Sequence, residues 1–237
     1  LWAKAGHEVA WEQFCIQEGA LLSSKLENRG RLKVRADEEH LSISGSGFSI
    51  QWEKNATGSL TSLTYHGKEM LAHPADFPLQ PVTQAFRAPT DNDFGNKMPL
   101  LAGVWRTAHV NRYVKEVTVG NKNEKGLPVK IEWVLTDIQV PYTMEYLIRN
   151  DGSLVVTGSI DLNGTRLPEL PRFGMRIELN QPYDNLSYYG RGPQENYIDR
   201  CSGSFIGCYD DKVENQYYEY IRPQETGNKT DVRWLTL

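Results

Sequence analysis

The sequence predicts an all-β protein, a large antiparallel sandwich, and three observations carry that expectation. Runs of apolar and polar residues alternate with period two, as Phe48, Ile50 and Trp52 do, so that one face of each run is suited to a core. Clusters of turn-forming residues separate the runs, such as Asn55 to Gly58, Arg149 to Gly152, Leu162 to Thr165 and Asn180 to Tyr183. The 12 prolines and 20 glycines fall mostly between the runs, and no stretch sustains a helical period.

Taken in order, residues 1–18 alternate as a strand, with Val9, Trp11 and Phe14 as candidate core. Residues 19–32 are polar and basic enough for a linker, and a β domain is expected over 33–237. Within it, Leu41 and Ile43 form one strand face and Phe48, Ile50 and Trp52 the next. Val129, Ile131, Trp133 and Leu135 form a third, and Met175, Ile177 and Leu179 a fourth. Trp52 and Trp133 share register with aliphatic neighbours and are read as core. The chain opens on Leu1-Trp2 and closes within the strand-like Val232 to Leu237. This reads as a fragment of a longer protein, and its open sheet edge is expected to promote association.

Composition narrows the function. With 39% hydrophobic and 24% charged residues the chain is neither disordered nor collagenous. The 26 Lys and Arg against 30 Asp and Glu, a net charge of -4, provide no electrostatic footprint for nucleic acid or an anionic membrane. No apolar run reaches the length of a membrane span. Cys15, Cys201 and Cys208 suit neither a disulfide scaffold nor zinc spacing and are read as buried or idle thiols. The five histidines are scattered, with no nucleophile elbow beside them.

Two segments concentrate polar groups. In Phe86 to Gly95, Pro89 imposes an extended entry, Thr90, Asp91, Asn92 and Asp93 offer acceptors, and Gly95 permits a positive φ. The carboxylates could bind sugar hydroxyls or serve as a base beside an active site. The residues alone favour the other reading, an Asx-rich turn that bonds to itself, the commonest use of these residue types. An Asp-x-Asp spacing without the remaining ligands does not make a calcium loop. In Tyr188 to Arg200, Gly190 and Gly192 imitate a dinucleotide fingerprint, but Pro193 and Asn196 stand where a helix start and a third glycine are needed. What remains is Arg191, Glu195, Asn196, Asp199 and Arg200 among tyrosines, a set suited either to carbohydrate or to an internal network locking the strand. Glu195 and Asp199 could also be read as a glycosidase pair. Two flanking segments extend the polar set. Arg172 and Arg176 share a strand face and could bind hydroxyls or pair with Glu169, pairing being favoured, while Arg222, Glu225, Asn228 and Arg233 could join the network or simply form a loop–strand junction.

Three motifs in order, Arg87-Ala-Pro-Thr-Asp-Asn-Asp-x-Gly95, Gly190-x-Gly-Pro-Gln-Glu-Asn-Tyr-x-Asp-Arg200 and Pro223-Gln-Glu-x-Gly-Asn-x-Thr-Asp-Val-Arg233, resemble the C-terminal part of family 2 glycoside hydrolases of the β-galactosidase type. Ala5-Gly-His-Glu-Val-Ala-Trp11 is similar to the end of the immunoglobulin-like domain that precedes it in that family. The resemblance implies a super-sandwich similar to galactose mutarotase, with residues 1–18 the last strand of the preceding sandwich. It also implies that the catalytic glutamates and magnesium ligands of retaining β-galactoside hydrolysis lie on a separate TIM barrel, so no catalytic residue, metal or cofactor is assigned to this chain. Asp91, Asn92, Asp93 and Gly95 would border the substrate cleft, with Gly95 as the hinge of a closing segment. The implied partners are the barrel and immunoglobulin-like domains of the same polypeptide, in a homo-oligomer. A cytoplasmic location is expected, a periplasmic one being the alternative. Two other functions fit the residues: a carbohydrate-binding module centred on Arg191 and Glu195, and an aldose epimerase using Glu195 or Asp91 with a histidine.

Overall fold

The computed structural model describes residues 2–17, 19, 30–55, 57–72, 82–180 and 183–237. The protein is all-β, with antiparallel sheets throughout. The chain divides into two compact units, Leu26–Tyr183 and Leu1–Lys25 with Asp184–Leu237.

In the unit Leu26–Tyr183, a five-stranded meander runs β1 (Lys33–Ala36), β2 (His40–Gly45), β3 (Phe48–Glu53), β4 (Leu60–Tyr65) and β5 (Lys68–Glu69). A short β6 (Val82–Gln84) pairs with β11 (Gly174–Arg176). Between them, β7 (Arg112–Val119), β8 (Leu127–Leu135), β9 (Val140–Ile148) and β10 (Leu154–Ile160) form a four-stranded sheet. In β8 every second residue from Leu127 to Leu135 is buried, the signature of one face against a core and one turned outward. Strand register stacks like with like: Ile43 lies opposite Ile50, Leu41 opposite Trp52, and Trp133 opposite Tyr142. The inner faces of the two larger sheets meet in one core that includes Leu41, Ile43, Ile50, Trp52, Ile131, Trp133, Tyr142 and Tyr146. Trp52 and Tyr146 meet edge to face at 5.4 Å. Each such side chain contributes roughly 1.5–3 kcal/mol by leaving water.

Two turns show how the sequence closes this core. At His66 and Gly67 both φ angles are positive, 49° and 77°, the type I′ geometry whose twist matches a two-residue hairpin. Gly58, at φ 62°, lies against the indole of Trp133, where a Cβ would come within 2.7 Å of the ring nitrogen. The neighbouring Thr57 carbonyl accepts from that nitrogen at 2.8 Å. A second, smaller core of Ala85, Ala102, Trp105 and Ala108 anchors the connection between β6 and β7, where the Trp105 indole donates to the Pro168 carbonyl at 3.1 Å.

In the other unit, β12 (Asn185–Gly192) lies between β13 (Phe205–Lys212) and β14 (Trp234–Thr236). The opening segment lies against it. Trp11 stacks on Phe205 at 3.7 Å, and the Gln13 amide both donates to and accepts from the Ile206 backbone.

Several expectations need correction. Residues 2–17 form no strand, and Val9, Trp11 and Phe14 are largely exposed, because alternation yields a strand only where a neighbouring strand completes the ladder. Most of the expected linker, residues 20–29, and His73 lie outside the described residues. The set Met175, Ile177, Leu179 is not one strand: β11 spans three residues, Met175 and Ile177 are half exposed, and Leu179 makes a separate bridge to Leu71. Cys15 and Cys208 are exposed rather than buried. Short helices also occur, α1 (Asp91–Gly95) and α2 (Met98–Leu101), each too brief to leave a 3.6-residue period in the sequence.

Candidate functional site

The first polar segment folds as a capped helical turn. Thr90 is the N-cap of α1: its hydroxyl accepts from the Asp93 amide, while the Asp93 carboxylate accepts from the Thr90 amide at 2.7 Å and from its hydroxyl at 2.9 Å. Arg87 grips the same carboxylate with two nitrogens. Burial pushes the Asp93 carboxyl up, but the bonds from Arg87 and Thr90 outweigh it and hold the group below its ordinary range. Asp93 is therefore ionised and internally bound, as the self-bonded reading of this segment expects, whereas Asp91 and Asn92 reach the surface. Gly95 belongs to the helix and has no positive φ; the left-handed residue is Lys97, at φ 59°. The break in chain direction thus falls two residues beyond the glycine. In the sequence Thr90 stood as one acceptor among four and Arg87 only as the start of the motif, although Thr-x-x-Asp before a short run is the pattern of a capping box.

The second segment builds a closed network. After β12 the chain passes through a cis Gly192–Pro193 peptide. The two glycines serve packing: a Cβ on Gly190 would come within 2.9 Å of the Val232 backbone, and one on Gly192 would meet the rings of Tyr188 and Tyr209. Glu195 accepts from Arg200 at both oxygens, at 2.7 and 3.1 Å, and from the Tyr220 hydroxyl at 2.5 Å. Arg200 also donates to Asp199 at 2.7 Å and to the Glu225 carbonyl at 2.6 Å, and its guanidinium lies over Tyr220 and Tyr197. Burial pushes the Glu195 carboxyl up, yet the hydrogen bonds from Arg200 and Tyr220, the arginine charge and the Asn228 amide bring it below its ordinary value.

Asn196 is completely buried and fully bonded. Its amide donates to the carbonyls of Arg191 and Gln194, and its oxygen accepts from the Thr230 amide and hydroxyl. It staples the bend after β12 to the segment leading into β14. Arg191 adds a second clasp, donating to Asp231 at 2.5 Å and to the Ser204 carbonyl at 2.8 Å. The isosteric change Asn196→Asp sets a carboxylate against two carbonyls that need donors. It is expected to destabilise the protein by about 3 kcal/mol in urea titrations, and an unchanged midpoint would refute the staple.

All five residues singled out in this segment therefore belong to one internal network. Tyr220, Thr230, Asp231 and Ser204 complete it; Thr230 and Asp231 lie in the third ordered motif, but no local pattern shows which residues of the second motif they bond. Of the flanking set, Glu225 and Asn228 join through the backbone, and Arg233 lies over Tyr189. In the other unit, Arg176 pairs with Glu178 and Arg172 with Gln84, not with Glu169 as expected. Strand parity put the two arginines on one face but did not specify the partner.

Chemically, Glu195 cannot act as a general acid at neutral pH. A glycosidase acid needs a raised pKa and access to the leaving oxygen, whereas this carboxylate is held ionised with only 4% of its side chain exposed. Its partners are Arg200, Tyr220 and the Asn228 amide, with no histidine among them for ring-opening chemistry. Among the described residues, no cluster of three or more His, Cys, Asp or Glu side chains could hold a metal ion.

An antiparallel β-protein whose densest polar motif is bound up within itself defines a class of domain held by an internal polar network. Comparison with known proteins specifies which. The family described as beta galactosidase small chain matches residues 44–237, and the chain belongs to that family. It is 36% identical over 236 residues to a beta-galactosidase of Priestia megaterium, covering all of this chain and 22% of that protein. A beta-galactosidase of Halalkalibacterium halodurans is 36% identical over 240 residues, again across the whole chain and 23% of the relative. One from Streptococcus thermophilus is 30% identical over 241 residues. The chain thus spans under a quarter of the length of these curated relatives.

Proposed function

We propose that this chain works as the non-catalytic small-chain domain of a retaining β-galactosidase that hydrolyses terminal β-D-galactosides. The observation that carries this reading is the closed Glu195–Arg200–Tyr220 network, which commits the most suggestive carboxylate to holding the fold. In this reading the acid/base, the nucleophile and the magnesium belong to a barrel elsewhere in the polypeptide. Asp91, Asn92, Asp93 and Gly95 border the cleft, with α1 as a fixed rim and the turn at Lys97 as the point where the following segment changes direction. The barrel and immunoglobulin-like domains are its partners within a homo-oligomer, placed in the cytoplasm. The network supports that assembly by fixing the shape of the surface it presents.

A proton-NMR time course of the purified chain, with a β-galactoside and freshly dissolved α-galactose, tests the reading. Neither hydrolysis nor anomer exchange is expected to exceed the protein-free blank. A rate above the blank in either reaction would show that residues of this chain carry chemistry.

A further inference from the structure

In the unit formed by Leu1–Lys25 with Asp184–Leu237, the three-stranded sheet ends at β13, an edge strand of eight residues without proline. An edge strand turns main-chain N–H and C=O groups outward, where another strand can add. Ile206 shows which groups these are. Its N–H donates to the Gln13 side-chain oxygen at 2.7 Å, and its C=O accepts from the Gln13 amide nitrogen at 2.8 Å, so both point away from β12. The opposite residue, Arg191, agrees, because its N–H bonds to the Thr230 carbonyl and not to Ile206. By the period of two, the main-chain groups of Cys208, Asp210 and Lys212 also point outward.

Side chains occupy the two end rungs of this edge. At Ile206 the Gln13 amide supplies one donor and one acceptor, as a peptide group of a neighbouring strand would, and Trp11 stacked on Phe205 anchors the segment that carries it. At Lys212 the N–H donates to the Asp211 carboxylate at 2.8 Å and the C=O accepts from the Gln216 amide at 2.9 Å. Between them, the outward groups of Cys208 and Asp210 have no partner among the described residues. We propose that Gln13 is a plug that keeps β13 from pairing with β13 of a second copy of this chain. Releasing it frees the rungs at Ile206, Cys208 and Asp210, which are symmetric about Cys208. Antiparallel pairing about a two-fold axis there sets Ile206 against the second copy's Asp210 and Cys208 against its own counterpart, with no like charges opposed. Lys212 falls opposite the second copy's Ser204, outside the strand, so the plug at that end does not interfere. The freed rungs are thus their own complement, which selects a second copy as the occupant. The inference is independent of the functional reading above.

The test uses the full chain carrying Cys15→Ser and Cys201→Ser, which leaves Cys208 as the single, exposed thiol. In the paired dimer the two Cys208 Cα atoms lie about 5.5 Å apart, the spacing of a hydrogen-bonded antiparallel pair. That is within the ~4.4–6.8 Å that a disulfide spans. Diamide serves as the oxidant and takes up both thiol hydrogens as the S–S bond forms. Gln13 is exposed, so Gln13→Ala leaves the fold in place. It is expected to raise the yield of covalent dimer about tenfold over the same chain with Gln13, the scale set by two lost hydrogen bonds. Without oxidant, hydrogen exchange at the Cys208 and Asp210 amides of the Gln13→Ala chain is expected to slow as protein concentration rises. Equal dimer yields with and without Gln13, or exchange at these amides that is equally fast at every concentration, would each overturn the assignment.

Discussion

Replacing Trp133 by alanine is expected to destabilise the protein by about 4 kcal/mol, the upper range for removing a large aromatic from a packed core. The indole is 1% exposed, stacks on Tyr142 at 5.6 Å, donates to the Thr57 carbonyl and carries Arg112 on its face. Alanine leaves a cavity between the two main sheets, orphans the Thr57 carbonyl and removes the aromatic face under the Arg112 guanidinium. Phenylalanine restores much of the volume but not the donor, so Trp133→Phe should lose roughly half as much. Urea unfolding followed by circular dichroism measures both. A loss below 1 kcal/mol for the alanine variant would mean that the sandwich does not depend on this contact.

Arg200→Ala is expected to cost about 3 kcal/mol at neutral pH, mainly because Glu195 is left charged and buried. The pH dependence separates this cause from lost packing. Glu195 has a folded pKa below its ordinary value of 4.5, so its stabilising contribution is present above that value and is lost as pH falls through the folded pKa. Without Arg200 the same carboxyl titrates upward, and acidification neutralises an unfavourable charge. The gap between wild type and variant should therefore be widest near pH 7 and narrow progressively as pH falls toward 4.5 and below. The double variant E195Q/R200M should recover part of the loss at neutral pH, since no unpaired charge remains. A gap that stays constant from pH 7 to pH 4 would assign the effect to packing and sink the ion-pair account.

How much of this was legible in sequence differs element by element. The strands β2, β3 and β8 were readable because alternation states both the conformation and the buried face, and Trp52 and Trp133 took their place in the core by parity alone. The same period failed at residues 2–17 and at Met175 and Ile177. A strand is completed by its neighbour's hydrogen bonds, and alternation does not say whether a neighbour is there. Gly95 illustrates a second limit. A glycine permits a positive φ but does not demand one, and here the left-handed position fell on Lys97, after a capped turn that the acidic residues stabilise at its N-terminal end.

By itself the sequence determined the all-β class, the faces of the long strands, and the ordered motifs by which the chain resembles its family. Those are properties of local pattern and residue type, and they survive without knowledge of any long-range contact. Only the tertiary structure decided what the motif residues do. Whether Glu195 faces a sugar or an arginine depends on the positions of Arg200, Tyr220 and Asn228 around it. Likewise, only the packing of Arg112 over Trp133 shows that two of its nitrogens are sealed from solvent with no acceptor among the described residues. Charge, burial and hydrogen-bond satisfaction are set by neighbours in space, and one-dimensional order leaves them open until the chain folds.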